Sequence, residues 1–456
     1  MWLNEDQTTA GSDAAIVGWN RFEDFSGAPL GLMKRIISGL LALLLSVGLL
    51  SSSAKATTPL TVADIYNPAK ILRVDLSLPK DSVESLNNQQ TLKVYVPGTL
   101  TMTMGTKTSG ALDIKVRLKG ATSMQKLDLT PSFKFRFKKG PNDLGYLGLR
   151  RMTLNAMTQD TTKLHEYAAY ALFNAAGVPA PKTGWARVYV NGFDKGLYVN
   201  IETPDETFMS RRFRDITQHI YEGAGSDFWM GEDTGDNKTG NFLVDYGWKV
   251  TPNKYDLNNL INYTYDNNKA SWYKGLTNVL DRTEMIKFFA VENFIGHWDG
   301  YSGPDINNYF IRSNTQGKFT FIPWGTDQTF GENLATWKVS DLFEMDMLSE
   351  KSNIPWMSNQ QWRGKLYVQC INYSVCKTAY LQALKNVAAK ALSMNLSGKL
   401  TAAAKTIDPA LVARYGGNME AMKYLDTIHL EQSSMQLFLT KRQKSVADLL
   451  QQNNIK

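Results

Sequence analysis

The chain has 456 residues, 43% of them apolar and 20% charged, with 50 Lys and Arg against 43 Asp and Glu for a formal net charge of +7. Such a length and apolar fraction accommodate two well-buried cores and exclude a disordered chain. Four scattered histidines (His165, His219, His297 and His429) give no zinc pattern, and the positive excess is too diffuse for nucleic-acid binding while favouring anionic partners such as nucleotides, acidic proteins or envelope surfaces.

The first signal in chain order lies at residues 33–56. A basic start at Met33 to Arg35, an apolar run of 15 residues and a small-x-small site ending at Ala56 predict a secretory signal peptide. The run is shorter than the ~20 residues a membrane-spanning helix needs. Cleavage after Ala56 is therefore expected to leave an extracytoplasmic protein (secreted, periplasmic or at the cell surface) without a stable membrane span. That product would carry 46 Lys and Arg against 38 Asp and Glu. Residues 1–32 are acidic and irregular and read as an extension from an upstream start or as disordered.

From residue 57 to 202 the pattern is mostly strand. In ALDIKVRLKG, Ile114, Val116 and Leu118 alternate with Lys115, Arg117 and Lys119; in SFKFRFKKG, Phe133, Phe135 and Phe137 alternate with Lys134, Arg136 and Lys138. Both predict half-buried strands with basic outer faces. The loop joining them contains Gly120 and Ser123 and has a composition able to lie over phosphates. TTKLHEYAAYALFNAAG predicts a helix ended by Gly177, and ARVYVNGF and KGLYVNIET predict two strands about a turn at 191–195. Residues 231–241, GEDTGDNKTGN, lack the spacing of an EF-hand and read as an exposed, substrate-facing loop. RTEMIKFFAVENFIG predicts an apolar helix, and the chain beyond Lys338 is largely helical. Cys370 and Cys376, the only cysteines, predict a disulfide closing a short loop or inter-helix turn.

Residues 297–331 carry the densest chemistry. NNYFIRS and GKFTFIP alternate about an Asn-Thr-Gln-Gly turn and predict a hairpin that brings Asn308 and Asp327 close. With Asp299 these side chains suit a hard divalent cation and a phosphate. Each of the three also suits a turn cap or strand start. Asp299 and Asp327 are alternatively the paired carboxylates of a secreted carbohydrate hydrolase, with 11 Trp for sugar stacking.

The span HWDGYSGPDINNYFIRSNTQGKFTFIPWGTDQTFG resembles the signature of the spore coat protein H (CotH) kinase-like family: an Asp, an Asn before aromatics, then PW[DG]xD. RLKGATS, FKFRF, LNAMTQD, GVPAP and VNGFDKGLYVNIE resemble further family elements in the same order, so the likeness runs from about Val116 to Gly331. The resemblance implies an α+β, two-lobed, atypical protein-kinase-like fold, with a strand-rich lobe at 57–202, a helix-rich lobe at 203–456, and ATP and Mg²⁺ between them. It implies that Asp299 orients the substrate hydroxyl, that Asn308 and Asp327 hold magnesium, and that a strand lysine with an acidic partner meets the phosphates. Lys134 with Glu202 is the expected pair, with Lys126 and Arg136 as competitors. The implied activity is transfer of a phosphoryl group from ATP to Ser or Thr of an extracytoplasmic protein of unknown identity. Two features depart from the pattern. Gly325 stands where many members have Asp, so either Asp327 serves alone or the chain is a catalytically silent binding or surface-assembly protein. An aspartate restored at 325 is expected to preserve or strengthen metal binding unless the position needs a positive φ. Asn308 follows Asp299 by nine positions, a longer spacing than in the catalytic loop of ordinary protein kinases.

Overall fold

Strands that alternate apolar and basic side chains bury one face most completely when the sheet closes on itself, and here it does. The computed structural model describes residues 58–88, 94–120, 123–138, 145–229, 242–357 and 361–456. The expected signal peptide and the 231–241 loop lie outside the described residues. Strands β1 (Thr58–Pro59), β2 (Ile71–Ser77), β3 (Val96–Met104), β4 (Lys107–Lys119), β5 (Ser132–Phe137), β6 (Arg151–Asn155), β7 (Thr183–Val190) and β8 (Phe193–Ile201) form one sheet in the order β1-β4-β3-β2-β7-β8-β6-β5. An additional β4–β5 pairing joins its ends into a barrel. The 13-residue β4 makes this possible, since residues 114–116 pair with β3 on one side and β5 on the other. Val74, Leu100, Val116, Phe133, Phe135 and Met152 fill the interior.

Helices α1 (Val62–Ile65), α2 (Lys80–Asn88), α3 (His165–Ala175) and α4 (Glu206–Arg212) accompany the barrel. A second sheet of β9 (Thr217–Glu222), β10 (Leu243–Tyr246), β11 (Tyr309–Asn314) and β12 (Phe319–Pro323) runs in the order β10-β9-β11-β12. Around it lie α5 (Tyr255–Tyr263), α6 (Lys269–Val279), α7 (Arg282–Ile295), α8 (Lys365–Ile371), α9 (Ser374–Ser393), α10 (Leu396–Tyr415) and α11 (Met419–Gln452). Trp185, Val199 and Ile201 on β7 and β8 belong to the same core as α3 and α7. The barrel wall is thus apolar on both faces there, and the second core begins well before residue 203. Among the described residues no helix is long and apolar enough to cross a membrane.

The predicted hairpin forms with Tyr309 opposite Pro323 and Ser313 opposite Phe319. Its expected polar face is absent, because both strands are buried along their whole length. Arg312 tolerates this by donating to Asp215 Oδ1 at 2.7 Å and Thr217 Oγ1 at 3.0 Å, its guanidinium 4.2 Å from the Phe213 ring centre. Helix α7 begins at Asp281, which accepts from the Glu284 N–H at 3.1 Å, and ends at Gly296 in the left-handed region. Cys370 and Cys376 form the expected disulfide, joining α8 to the first turn of α9.

Asp256 in the first turn of α5 ties that helix to the second sheet. It accepts from His219 Nδ1 at 2.8 Å, from Tyr221 Oη at 2.7 Å and from Ser313 Oγ, while His219 Nε2 meets the Thr251 carbonyl at 2.9 Å. Acceptors at both ring nitrogens favour the imidazolium. Burial works against that charge, but the Asp256 hydrogen bond and charge outweigh it and raise the His219 pKa. The resulting stability is fully present below the ordinary histidine value of ~6.5 and is lost as pH rises through the raised one. Urea midpoints measured from pH 5 to 9 should therefore fall on the alkaline side, and His219→Gln should flatten that limb. An unchanged slope in the variant would remove His219 as its source.

Candidate functional site

The left-handed turn at Gly296 delivers residues 297–308 to the site, and a buried glutamate on α7 shapes them. Glu292 accepts the Tyr301 N–H at 3.0 Å on Oε1, and the Ser302 N–H and Oγ–H, each at 2.7 Å, on Oε2. Gly300 packs so tightly against Glu292 and His297 that a Cβ would overlap both. Asp299 is held in the turn so formed. It is buried, its Oδ1 accepts from Asn307 Nδ2 at 3.2 Å, its Oδ2 accepts from Asn308 Nδ2, and its carbonyl accepts the Asn308 N–H at 2.8 Å.

The hairpin register then sets Asn308 against the residues after β12. A Cβ built on Gly325 would lie 2.5 Å from Asn308 Cγ, and Gly325 has a φ of +54°. Two residues on, the Asp327 carbonyl faces His165 Nδ1 at 2.7 Å, and the Phe330 N–H donates to the Ile295 carbonyl at 2.6 Å. The segment is clamped between the start of α3 and the end of α7. The Asp327 carboxylate itself is half-buried and accepts no hydrogen bond among the described residues.

Negative charge accumulates around it. Burial, then the charges of Asp305 and Asp327, push the Asp299 carboxyl well above the usual carboxylate range, the Asn307 hydrogen bond opposing. Burial and the Asp327 charge raise Glu166, in the first turn of α3, to about 8 against the pull of Lys119 and of a 2.6 Å hydrogen bond from Asn155. Burial, Asp160 and Asp327 raise Glu332. Burial and mutual repulsion outweigh the pull of Lys119 on Glu166 and of Lys163 on Glu332. Among the described residues no three His, Cys, Asp or Glu side chains are grouped to hold a metal alone. One carboxylate and one amide, completed by water and phosphate oxygens, suit magnesium.

The barrel supplies the opposing positive wall. Lys119, at the end of β4, lies 5.7 Å from the Trp324 ring centre and acts on Glu166. Lys134 is half-buried, and no carboxylate among the described residues lies within ion-pair distance of it. Burial lowers its pKa to about 8, although Asp245 and Glu222 pull the other way. The expected Lys134–Glu202 pair does not form. Glu202 is buried at the end of β8, where Arg211 and Arg212 of α4 each donate to it at 2.5 Å and the Lys182 N–H donates at 3.1 Å. Strand β6 stands between β5 and β8, and α4 neutralises Glu202 first. Of the competitors, Lys126 is exposed, and Arg136 is exposed with its guanidinium 4.4 Å from the Tyr95 ring centre.

Sequence reasoning therefore missed Lys119 and Glu166. Lys119 read as one more outward residue of an alternating strand; its place directly before Gly120 was the available signal. Glu166 had none, because an acid in a helix's first turn is ordinary. The same geometry overturns the benefit expected of an aspartate at 325. Gly325→Ala and Gly325→Asp should both displace Asn308 from Asp299, and the left-handed backbone alone should cost about 1–2 kcal/mol of stability. Thermal unfolding and the Asn308 side-chain amide resonances would report this; a native resonance in Gly325→Ala would refute the contact.

The family described as CotH kinase protein matches residues 116–446, which takes in the chain from the end of β4 into α11. Inner spore coat protein H of Bacillus subtilis is 25% identical over 193 residues, 41% of this chain and 52% of that protein. Invasin CotH2 of Rhizopus delemar is 23% identical over 314 residues, 64% of this chain and 49% of that protein. The chain thus spans about half the length of these curated relatives. Asp299, Asn308, Asp327, Lys119 and Lys134 all fall inside the family match, and the chain belongs to the CotH kinase protein family.

Proposed function

We propose that this protein is an exported CotH-type kinase that transfers the γ-phosphoryl group of ATP to a Ser or Thr hydroxyl of an extracytoplasmic or surface protein. The observation that carries this reading is the convergence of Asp299, bonded to Asn308, with Asp327 and Glu166, on which Lys119 of the barrel wall acts. Asn308 Oδ1 and the unpartnered Asp327 carboxylate would hold Mg²⁺, which when bound with ATP supplies the charge that offsets the cluster and orients the phosphates.

The remaining roles belong to the chain's own groups. Asp299, pinned by Asn307 and Asn308, would accept the hydrogen bond of the incoming hydroxyl and take its proton. Lys119 and Lys134 would meet phosphate oxygens, with Glu166 rather than Glu202 as the acidic counterpart on the helix side. An anion beside Lys134 would restore the charge that burial disfavours. The buried disulfide and the surface character in the relatives' names support an extracytoplasmic setting, in keeping with the signal-like residues 33–56.

A silent binding or assembly protein is the alternative, and it turns on whether Asp327 suffices as the single anionic ligand. Gly325 favours competence, because its missing side chain is the space Asn308 occupies. Calorimetric titration of MgATP should give binding to the wild type that Asp327→Asn abolishes, since the amide keeps the size but loses the charge. Asp299→Asn should retain MgATP binding and lose ~10²–10⁴-fold in turnover. No binding by folded wild-type protein would establish the silent reading. Lys119→Ala and Lys134→Ala should each weaken MgATP binding about tenfold or more, roughly the loss of one charge-assisted contact; unchanged affinity in either would remove that lysine from the phosphate site.

A further inference from the structure

Like charges stand opposite one another on the outer face of the barrel. Lys115 faces Arg136 across β4 and β5, Arg136 faces Arg151 across β5 and β6, and Arg117 faces Lys134. Directly opposed like charges destabilise a sheet, so folding alone does not account for the arrangement. The protein answers part of this charge itself: Arg151 donates to Asp245 at 2.5 Å, and Arg150 lies 3.5 Å from Glu206. Lys115, Arg136 and Lys249 have no carboxylate within ion-pair distance among the described residues, and all three are exposed.

These cations border two neighbouring hollows. A groove of about 730 Å³ runs between Arg136, Arg151, Tyr246 and Trp248, and a second hollow of about 520 Å³ lies on the other side of Arg136 and Phe137, reaching Lys115. One wall of the larger groove is β10, which among the described residues pairs only with β9, so its other edge offers backbone donors and acceptors. Val250, 86% exposed, gives that wall an apolar margin. At the inner end the carboxylate of Asp245, bonded to Arg151, also acts on Lys134 at the candidate active site.

We propose that this groove docks an extended acidic segment of the substrate protein, its backbone meeting the free edge of β10 and its carboxylates meeting Arg136, Lys249 and Lys115. In an extended chain, side chains on one face recur every ~6.6–7 Å, a spacing that separate cations can match. A nucleic-acid backbone fits less well, because it has no peptide groups to pair with the edge of a strand. The inference rests on the kinase reading only in calling the segment a substrate.

Fluorescence anisotropy with the full chain and no nucleotide tests it. The probe is a labelled serine peptide with Glu at alternate positions, and its control is the Gln twin. The acidic peptide should bind at least tenfold more tightly than the twin, and Arg136→Glu with Lys249→Glu should abolish the difference while MgATP binding is retained. Lys249→Gln alone, at an exposed position, should weaken the peptide severalfold should the double variant fold poorly. Equal binding of the twin, unchanged binding in folded variants, displacement by MgATP, or tighter binding of an oligodeoxynucleotide of equal charge would each overturn the proposal. Peptide binding by a wild-type protein that takes no MgATP would uphold the groove and overturn the kinase reading instead.

Discussion

The register of β11 against β12 is the constraint on which the site depends. Because Tyr309 stands opposite Pro323, Asn308 and Gly325 meet just beyond the last pair, at a distance that admits no side chain on residue 325. A slip of one residue would turn every side chain of the hairpin to the opposite face. The buried setting forbids that slip, since Arg312 has partners on only one side and Phe321 packs into the aromatic core of α7. Core packing thus fixes the hairpin, and the hairpin places an amide and, two residues past Gly325, a carboxylate beside Asp299.

Around that point the chain separates its charges by origin. Acidic groups arrive from the first turn of α3, the Asp299 turn and the segment after β12, where burial and mutual repulsion push their pKa values up. Basic groups arrive from the barrel, because closing a sheet around Phe133, Phe135 and Phe137 leaves Lys134 and Arg136 no direction but outward. Trp324 lies 5.7 Å from the Lys119 ammonium. Arg151 and Arg150 find carboxylates in Asp245 and Glu206, whereas Lys134 has none within ion-pair distance among the described residues.

Glu202 illustrates how a motif residue can serve architecture. Two arginines of α4 and one backbone N–H satisfy it, and their opposing charges outweigh its burial and hold its pKa low. The clamp fastens α4 to the end of β8 at the seam between the two cores. Removing a buried partner of this kind leaves uncompensated charge and destabilises by about 3–5 kcal/mol. Loss of activity on changing Glu202 would therefore reflect the seam, not phosphate contact.

Local pattern determined a good deal by itself. The alternation in ALDIKVRLKG and SFKFRF, the helix ended by Gly177, the apolar helix ended by Gly296, the hairpin and the Cys370–Cys376 pair were all legible, because each depends on neighbours within a few residues or on one repeat of apolar faces. Asp299, Asn308 and Asp327 were legible as a group because a single short hairpin connects them. Closure of the barrel through β4 and β5, the sharing of β7 and β8 between two cores, the burial of both hairpin faces, the capture of Glu202 by α4 and the convergence of Lys119 and Asp327 on Glu166 were decided only in three dimensions. The reason is physical: periodicity states which side of an element is apolar, whereas the partner of a charge is set by desolvation and by segments more than a hundred residues away. His165 and Asp327, 162 residues apart and joined by one hydrogen bond, mark that boundary.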